Sequence, residues 1–254
     1  MSAVRAISVG ALAVLVGGQS AGASLQSRIA AHVDTETAAL VAIRRDLHRH
    51  PELSGEEKRT AGIVAARLKA LGLQVRTGIG GHGVVGILTG GRPGTLVAYR
   101  ADMDAVRSPE PDPVEFKSLI DGVRHICGHD VHVAIGLGLA SALASVRADL
   151  PGRVMPGGFA PGVTNDAALF ASSRADLVAA MGEAAFEELR QLPPGVSEDF
   201  GHFQSRAPGV FFFLGVGAAG WPHKPDYVAD EAAIPFGVKA MAAVVVGRLR
   251  NPPG

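Results

Sequence analysis

The chain has 254 residues with 24 basic and 24 acidic side chains, 47% apolar residues, 5% aromatics and one cysteine. Such a charge balance excludes an electrostatic case for nucleic acid or an anionic membrane as partner, and a single cysteine excludes an intrachain disulfide. The apolar fraction is ample for a core, but with so few aromatics Ala, Val and Leu must do most of the packing.

The N-terminus reads as a secretory signal over 1–23: Arg5 is the positive start, Ala6 to Gly18 an uncharged apolar run, and Ala21-Gly22-Ala23 a small-residue cleavage site. A buried N-terminal helix is the alternative. Export to the periplasm or the extracellular space is therefore expected, with residues 24–254 as the folded domain and no membrane span in the mature chain. Removing 1–23 takes away Arg5 and no acid, which leaves the balance near neutral.

Apolar residues recur at helical spacing from Leu25 to Leu47 and predict a helix over 25–50, stopped by Pro51. Ser54-Gly55-Glu56-Glu57 has the pattern of a capping box and predicts a second helix from 54 or 56 to 70, closed by Gly72. Three short β-rich runs follow, over 73–77, 83–89 and 95–100. Gly81-His82-Gly83-Val84-Val85-Gly86 matches G-x-G-x-x-G, but a dinucleotide fingerprint needs a strand before it and a helix starting within it. Here the order is reversed, so the glycines make a β-turn. A third helix is expected from about 132 to 150. Residues 155–162 carry two prolines and three glycines in eight positions and form a seam that excludes a helix or a central strand. Beyond it, Asn165 or Asp166 can cap a helix running to 190, 210–216 reads as a strand, and a last helix spans 235–249. The alternation predicts an α/β fold.

The densest chemistry lies in His125-Ile126-Cys127-Gly128-His129-Asp130-Val131-His132, which holds the only cysteine and three of the nine histidines. Thiolate and imidazole suit zinc and similar divalent ions. Spacing alone leaves two readings open, a metal site or a buried thiol beside hydrogen-bonded histidines, because two ligands do not close a site.

Five segments decide more together than any one alone. Arg45-Asp46-Leu47-His48-Arg49-His50-Pro51-Glu52-Leu53, Arg100-Ala101-Asp102-Met103-Asp104-Ala105, His125 to Asp130, Ser197-Glu198-Asp199-Phe200 and His223-Lys224-Pro225 stand in the order seen in M20 amidohydrolases. The chain resembles the branch of that family with hippurate hydrolases and N-acyl-amino-acid amidohydrolases. The resemblance implies a three-layer catalytic domain, a central mostly parallel or mixed sheet flanked by helices, with a smaller lid that mediates dimerisation. It implies that Cys127, His129 and His223 ligate a divalent metal, zinc or manganese, with Asp102 in a supporting role. The implied chemistry is metal-assisted hydrolysis of the amide bond of N-acyl amino acids or small peptides.

The sequence departs from the pattern after Arg153-Val154. There the family continues into a Gln-Pro-Ala-Glu-Glu segment that supplies the proton-shuttling base and a ligand, whereas this chain enters the seam. The lid, the paired glutamates and a further ligand histidine have no counterpart in the sequence, so impaired hydrolysis and no family-type lid dimer are expected. A non-catalytic remnant that at most binds a metal ion is the rival, and a defective gene model a third possibility. Glu198 is the best spare carboxylate for an improvised base, although Glu198-Asp199 first suits the acidic first turn of a helix. Glu187-Glu188 reads as a solvated helix face, His48 and His50 as helix-end residues bonding locally, with a place facing the cleft as the alternative for His50, and His132 as a residue that caps or pairs.

Overall fold

The computed structural model describes residues 23–156, 165–187, 200–217, 220 and 222–252. The expected signal segment, most of the seam, Glu188 and the Glu198-Asp199 pair lie outside them. Helix α1 (Leu25–Arg49) opens on Ser24, whose hydroxyl accepts from the Ser27 N–H at 3.1 Å, and it buries Ile29, Val33, Leu40, Ile43 and Leu47 along one face. Helix α2 (Lys58–Ala70) starts later than the capping-box pattern predicts. Its cap comes from further away: the Glu52 carboxylate accepts the Arg59 and Thr60 N–H groups at 2.8 and 2.7 Å, satisfying two of the orphan donors of the first turn.

Strands β1 (Gln74–Ile79) and β2 (Gly83–Thr89) form an antiparallel hairpin across the glycine turn, as the rejected dinucleotide match requires. Strand β3 (Arg92–Tyr99) is followed by the two-residue pair β4 (Val106–Arg107) and β5 (Val123–Arg124). Helix α3 (His129–Ser145) begins three residues earlier than expected and ends before a short 3₁₀ turn at Arg147–Asp149. Helix α4 (Ala167–Met181) is capped by Asp166, which accepts from Leu169 N–H at 2.8 Å. It stops at Gly182, well short of 190. The short α5 (Gly201–Gln204) and the long α6 (Ala233–Arg250) complete the helices of the described residues.

Strand β6 (Pro151–Pro156) corrects the expectation for the seam at its first two residues, Met155 and Pro156, while 157–162 lie outside the described residues. The sheet order is β1-β2-β6-β3, with β6 antiparallel to β2 and parallel to β3. Its two prolines occupy the first and last positions, where a missing N–H costs least. Gly152, at φ +75°, accommodates the register shift opposite β3, because a Cβ there would lie 2.1 Å from the Thr95 carbonyl oxygen. The expected strand over 210–216 is the opposite correction: residues 211–217 carry no regular structure. The Asn165 side-chain amide takes the place of a neighbouring strand, accepting from Phe211 N–H at 2.8 Å and donating to its carbonyl at 3.0 Å.

The fold is mixed α/β, a mixed sheet with helices against it. Leu88, Val154 and Val97 align across β2, β6 and β3 and point into one core with Leu40, Leu47, Leu139, Leu143, Ile234 and Val238 from α1, α3 and α6. Leu96, on the opposite face of β3, is 47% exposed. The crossover from β3 through α3 to the parallel β6 places the loops before α3 beyond the carboxyl end of β3, the usual ligand position in open α/β sheets.

Candidate metal centre

Gly128 positions the cluster. At φ +84° it turns the chain into α3, and a Cβ there would stand 2.7 Å from the Tyr227 hydroxyl. The turn leaves Cys127 half-buried just ahead of the helix and His129 in its first turn. His129 Nδ1 faces the Asp104 backbone carbonyl at 2.9 Å and its carboxylate at 3.0 Å, while Nε2 lies 3.8 Å from Asp102 Oδ2. A histidine whose Nδ1–H is held by a carbonyl or carboxylate has its ring and tautomer fixed as metal-ligating histidines do. Burial pulls the His129 pKa down, but hydrogen bonds to Asp104 and Cys127 outweigh it and push it up to about 11. An ion taken up here has to displace that proton.

Asp102 stands in the loop three residues beyond β3, paired with Arg100 at 2.5 Å and 3.6 Å from His132 Nδ1. Burial would raise its pKa, yet the facing His132, Arg100 and His129 hold it below the usual carboxylate range. His132, one helical turn beyond His129, stacks on it with ring centroids 6.0 Å apart.

His223 is joined to this loop through its backbone. Its N–H donates to the Ile126 carbonyl at 2.7 Å, next to Cys127, and it adopts φ +67°, the one positive φ of a non-glycine among the described residues. Its side chain is exposed. The donor chemistry of Cys127 and His129 fits a divalent ion, but among the described residues no group of three His, Cys, Asp or Glu side chains is arranged to hold one. Glu187 is exposed and outside any helix, so it does not stand on the helix face expected of it.

The principal feature the sequence reading missed is a buried charge network under the loop. His48, taken above as a helix-end residue bonding locally, instead lies buried between Asp130 (Nδ1 to Oδ2, 2.8 Å) and Asp112 (Nε2 to Oδ2, 2.8 Å). His50 does bond locally, to the Asp46 carbonyl at 2.9 Å. Arg44 makes an ion pair with Asp130 at 2.8 Å and another with Glu231 at 3.2 Å. Arg124 reaches Asp112 at 3.3 Å, and Phe116 covers Arg44 with its ring centroid 4.5 Å from the guanidinium carbon. Burial lowers the His48 pKa, but the two carboxylates more than restore it and the net direction is up. His125 has no such partner on either nitrogen, and burial pushes its pKa down to about 4.

Residues 98–156 and 158–246 match the model of peptidase family M20/M25/M40, more than half of the chain. The chain belongs to the M20 family. It is 46% identical over 116 residues to thermostable carboxypeptidase 2 of Saccharolobus solfataricus, covering 45% of this chain and 30% of that protein. It is 41% identical over 122 residues to the N-acyl-L-amino acid amidohydrolase of Geobacillus stearothermophilus, covering 48% and 33%. The chain thus spans about a third of the length of these curated relatives. The crystal structure of Bacillus subtilis YXEP, a dinuclear metal-binding peptidase of the M20 family, superposes with a TM-score of 0.77 over 85% of this chain and 99% of that one. At 19% identity that likeness bears on the fold alone.

Proposed function

We propose that the chain is a metal-dependent amidohydrolase scaffold for N-acyl amino acids or small peptides, with turnover strongly reduced. The observation that carries the reading is the Cys127-His129 pair beyond the end of β3, with His129 Nδ1 held by Asp104. Cys127 and His129 are the donors offered to zinc or manganese, which when bound would supply Lewis-acid polarisation of the scissile carbonyl; His223, the third donor the resemblance implies, does not group with them among the described residues. The chain's own contributions are to orient His129 through Asp104 and to keep the anionic Asp102 beside the ligands. Glu198 is the first residue to test as a proton-transferring base. The substrate class rests on the relatives, among them an N-acyl-L-amino acid amidohydrolase.

Reduced turnover rests on the sequence after Val154, which lacks a Gln-Pro-Ala-Glu-Glu segment. A positioned general base is worth about 10² to 10⁴ in rate. A second reading, a remnant that at most binds a metal ion, is favoured by the failure of three donor side chains to group among the described residues. We infer also that residues 1–23 direct export, and that a chain without a lid segment is monomeric.

The zinc- or manganese-loaded mature protein, assayed on hippurate and other N-acyl amino acids, is expected to turn over at least about 10²-fold more slowly than a full-length relative. Cys127→Ala should remove what remains together with bound metal. Turnover at a relative's rate that vanishes in Cys127→Ala would overturn the claim of impairment.

A further inference from the structure

A cleft of about 100 Å³ opens between α1, the end of α2 and the middle of α3, away from the metal loop. Its floor is apolar, with the buried Leu40 of α1 and Leu137 of α3. Ser141, one turn beyond Leu137, lines the same cleft, and its hydroxyl lies 2.9 Å from His32 Nε2. Two opposite charges complete the lining, Glu36 of α1 and Arg67 of α2. Neither makes an ion pair or a side-chain hydrogen bond with another described residue. Ser141 stands well along α3 from His129, about 18 Å at the rise of an α-helix, so the cleft is separate from the Cys127-His129 turn.

An acid and a base that line one small cleft without neutralising each other leave both charges for a ligand to satisfy. A molecule carrying an ammonium and a carboxylate together meets that demand, and the apolar floor calls for an aliphatic group beside them. We propose that the cleft binds a free α-amino acid with a branched aliphatic side chain, of the valine or leucine class. The Arg67 guanidinium takes the carboxylate, for which its planar fork is suited, Glu36 takes the ammonium, and the side chain covers Leu40 and Leu137. When the Ser141 hydroxyl donates to His32 Nε2, its lone pairs are left to accept a further hydrogen bond from the ammonium. Size sets the limit. A cavity of roughly 150 Å³ accepts benzene, so a cleft of about 100 Å³ takes a branched aliphatic group and rejects an indole. The inference stands apart from the metal reading, since the cleft shares no lining residue with the Cys127 turn.

The test is calorimetric titration of the chain, stripped of metal by a chelator, with L-leucine and L-valine. A Kd on the order of 1 mM is expected, the range open to a ligand of so few atoms. N-acetyl-L-leucine lacks the ammonium and L-leucinamide the carboxylate, and each should bind at least about 10-fold more weakly, because a hydrogen-bonded charge is lost. L-tryptophan should not bind. Glu36→Gln and Arg67→Met should each weaken L-leucine by a similar factor without lowering the melting temperature of the free chain, as neither side chain has a partner to lose. Ala39→Phe, at an exposed position on the cleft, fills the entrance while keeping both charges and should abolish binding.

L-leucine binding that none of the three variants weakens would overturn the inference, as would the absence of binding up to roughly 10 mM. Binding that requires added zinc and falls in Cys127→Ala belongs to the metal loop; it would overturn the cleft as the site while leaving the amidohydrolase reading intact.

Discussion

Asp130→Asn keeps the shape of a buried side chain and removes its charge, which isolates what the network beneath the metal loop contributes to stability. Asp130 is 1% exposed and 2.8 Å from both Arg44 Nε and His48 Nδ1, and Arg44 is itself 2% exposed. Removing one member of a buried pair costs about 3–5 kcal/mol, because the remaining charge stays out of water without compensation. Arg44 retains Glu231 at 3.2 Å, so the lower end, about 3 kcal/mol, is expected. At about 2–4 °C per kcal/mol for a domain of this size, the melting temperature should fall by about 6–12 °C. Asp149→Asn is the control: its pair with Arg28 is 45% and 47% exposed and worth about 0–1 kcal/mol.

The pH profile gives a second check. Burial raises the Asp130 pKa, but His48, His125 and Arg44 overcome it and hold the carboxyl far below its usual range. A depressed folded-state pKa gives stability that is complete above the unfolded value, about 3.9, and is lost as pH falls below it. The difference between native chain and variant should therefore be full above about pH 4 and close under more acidic conditions. His48 acts in the other direction. The ionised Asp112 and Asp130 only accept hydrogen bonds, so both of its ring nitrogens must donate and the ring is an imidazolium. That contribution is complete below about pH 6.5 and fades as pH rises through the raised pKa of His48. A variant that melts within about 1 kcal/mol of the native chain at every pH, as Asp149→Asn should, would refute the argument.

Gly128→Ala should lower the melting temperature by more than the ~1–2 kcal/mol cost of a left-handed alanine, since its Cβ also meets the Tyr227 hydroxyl at 2.7 Å. Gly62→Ala, in the interior of α2 with nothing within 4 Å, should instead be neutral or stabilising, and equal melting of the two variants would count against the role given to Gly128. Sedimentation velocity at several concentrations should give a monomer, and a tight dimer independent of concentration would contradict the expectation drawn from the missing lid segment.

What was legible in the sequence is what neighbouring residues decide. The apolar stripe of α1, the Asp166 cap, the α6 periodicity and the β2 run each carry their signal within a few residues, and the structure places all four where that signal falls. The Cys127-Gly128-His129 turn is equally local. The start of α2 was misjudged because its cap is the Glu52 carboxylate, outside the four-residue window that a capping box occupies. Strand β6 was hidden because proline and glycine counts say nothing of position, and its prolines sit at the two ends. The apolar run after Val210 has strand composition but makes no ladder, since a strand is defined by its neighbour and Phe211 is served by the Asn165 side chain.

The charge network illustrates the same limit at the site. Asp130 lies 82 residues from His48, Asp112 lies 64 residues from it, and Arg124 reaches Pro225 across 101 residues. No periodicity or motif spacing encodes such separations. The one local trace is that Arg44 and His48 stand four apart, on one face of α1, and both turn to Asp130. A polar pair at that spacing within an apolar stripe demands a buried counter-charge, because neither side chain tolerates burial alone. The partner supplied by the fold is the residue that follows His129. Helix α1 thereby fixes the start of α3, and with it the turn on which Cys127 and His129 are presented.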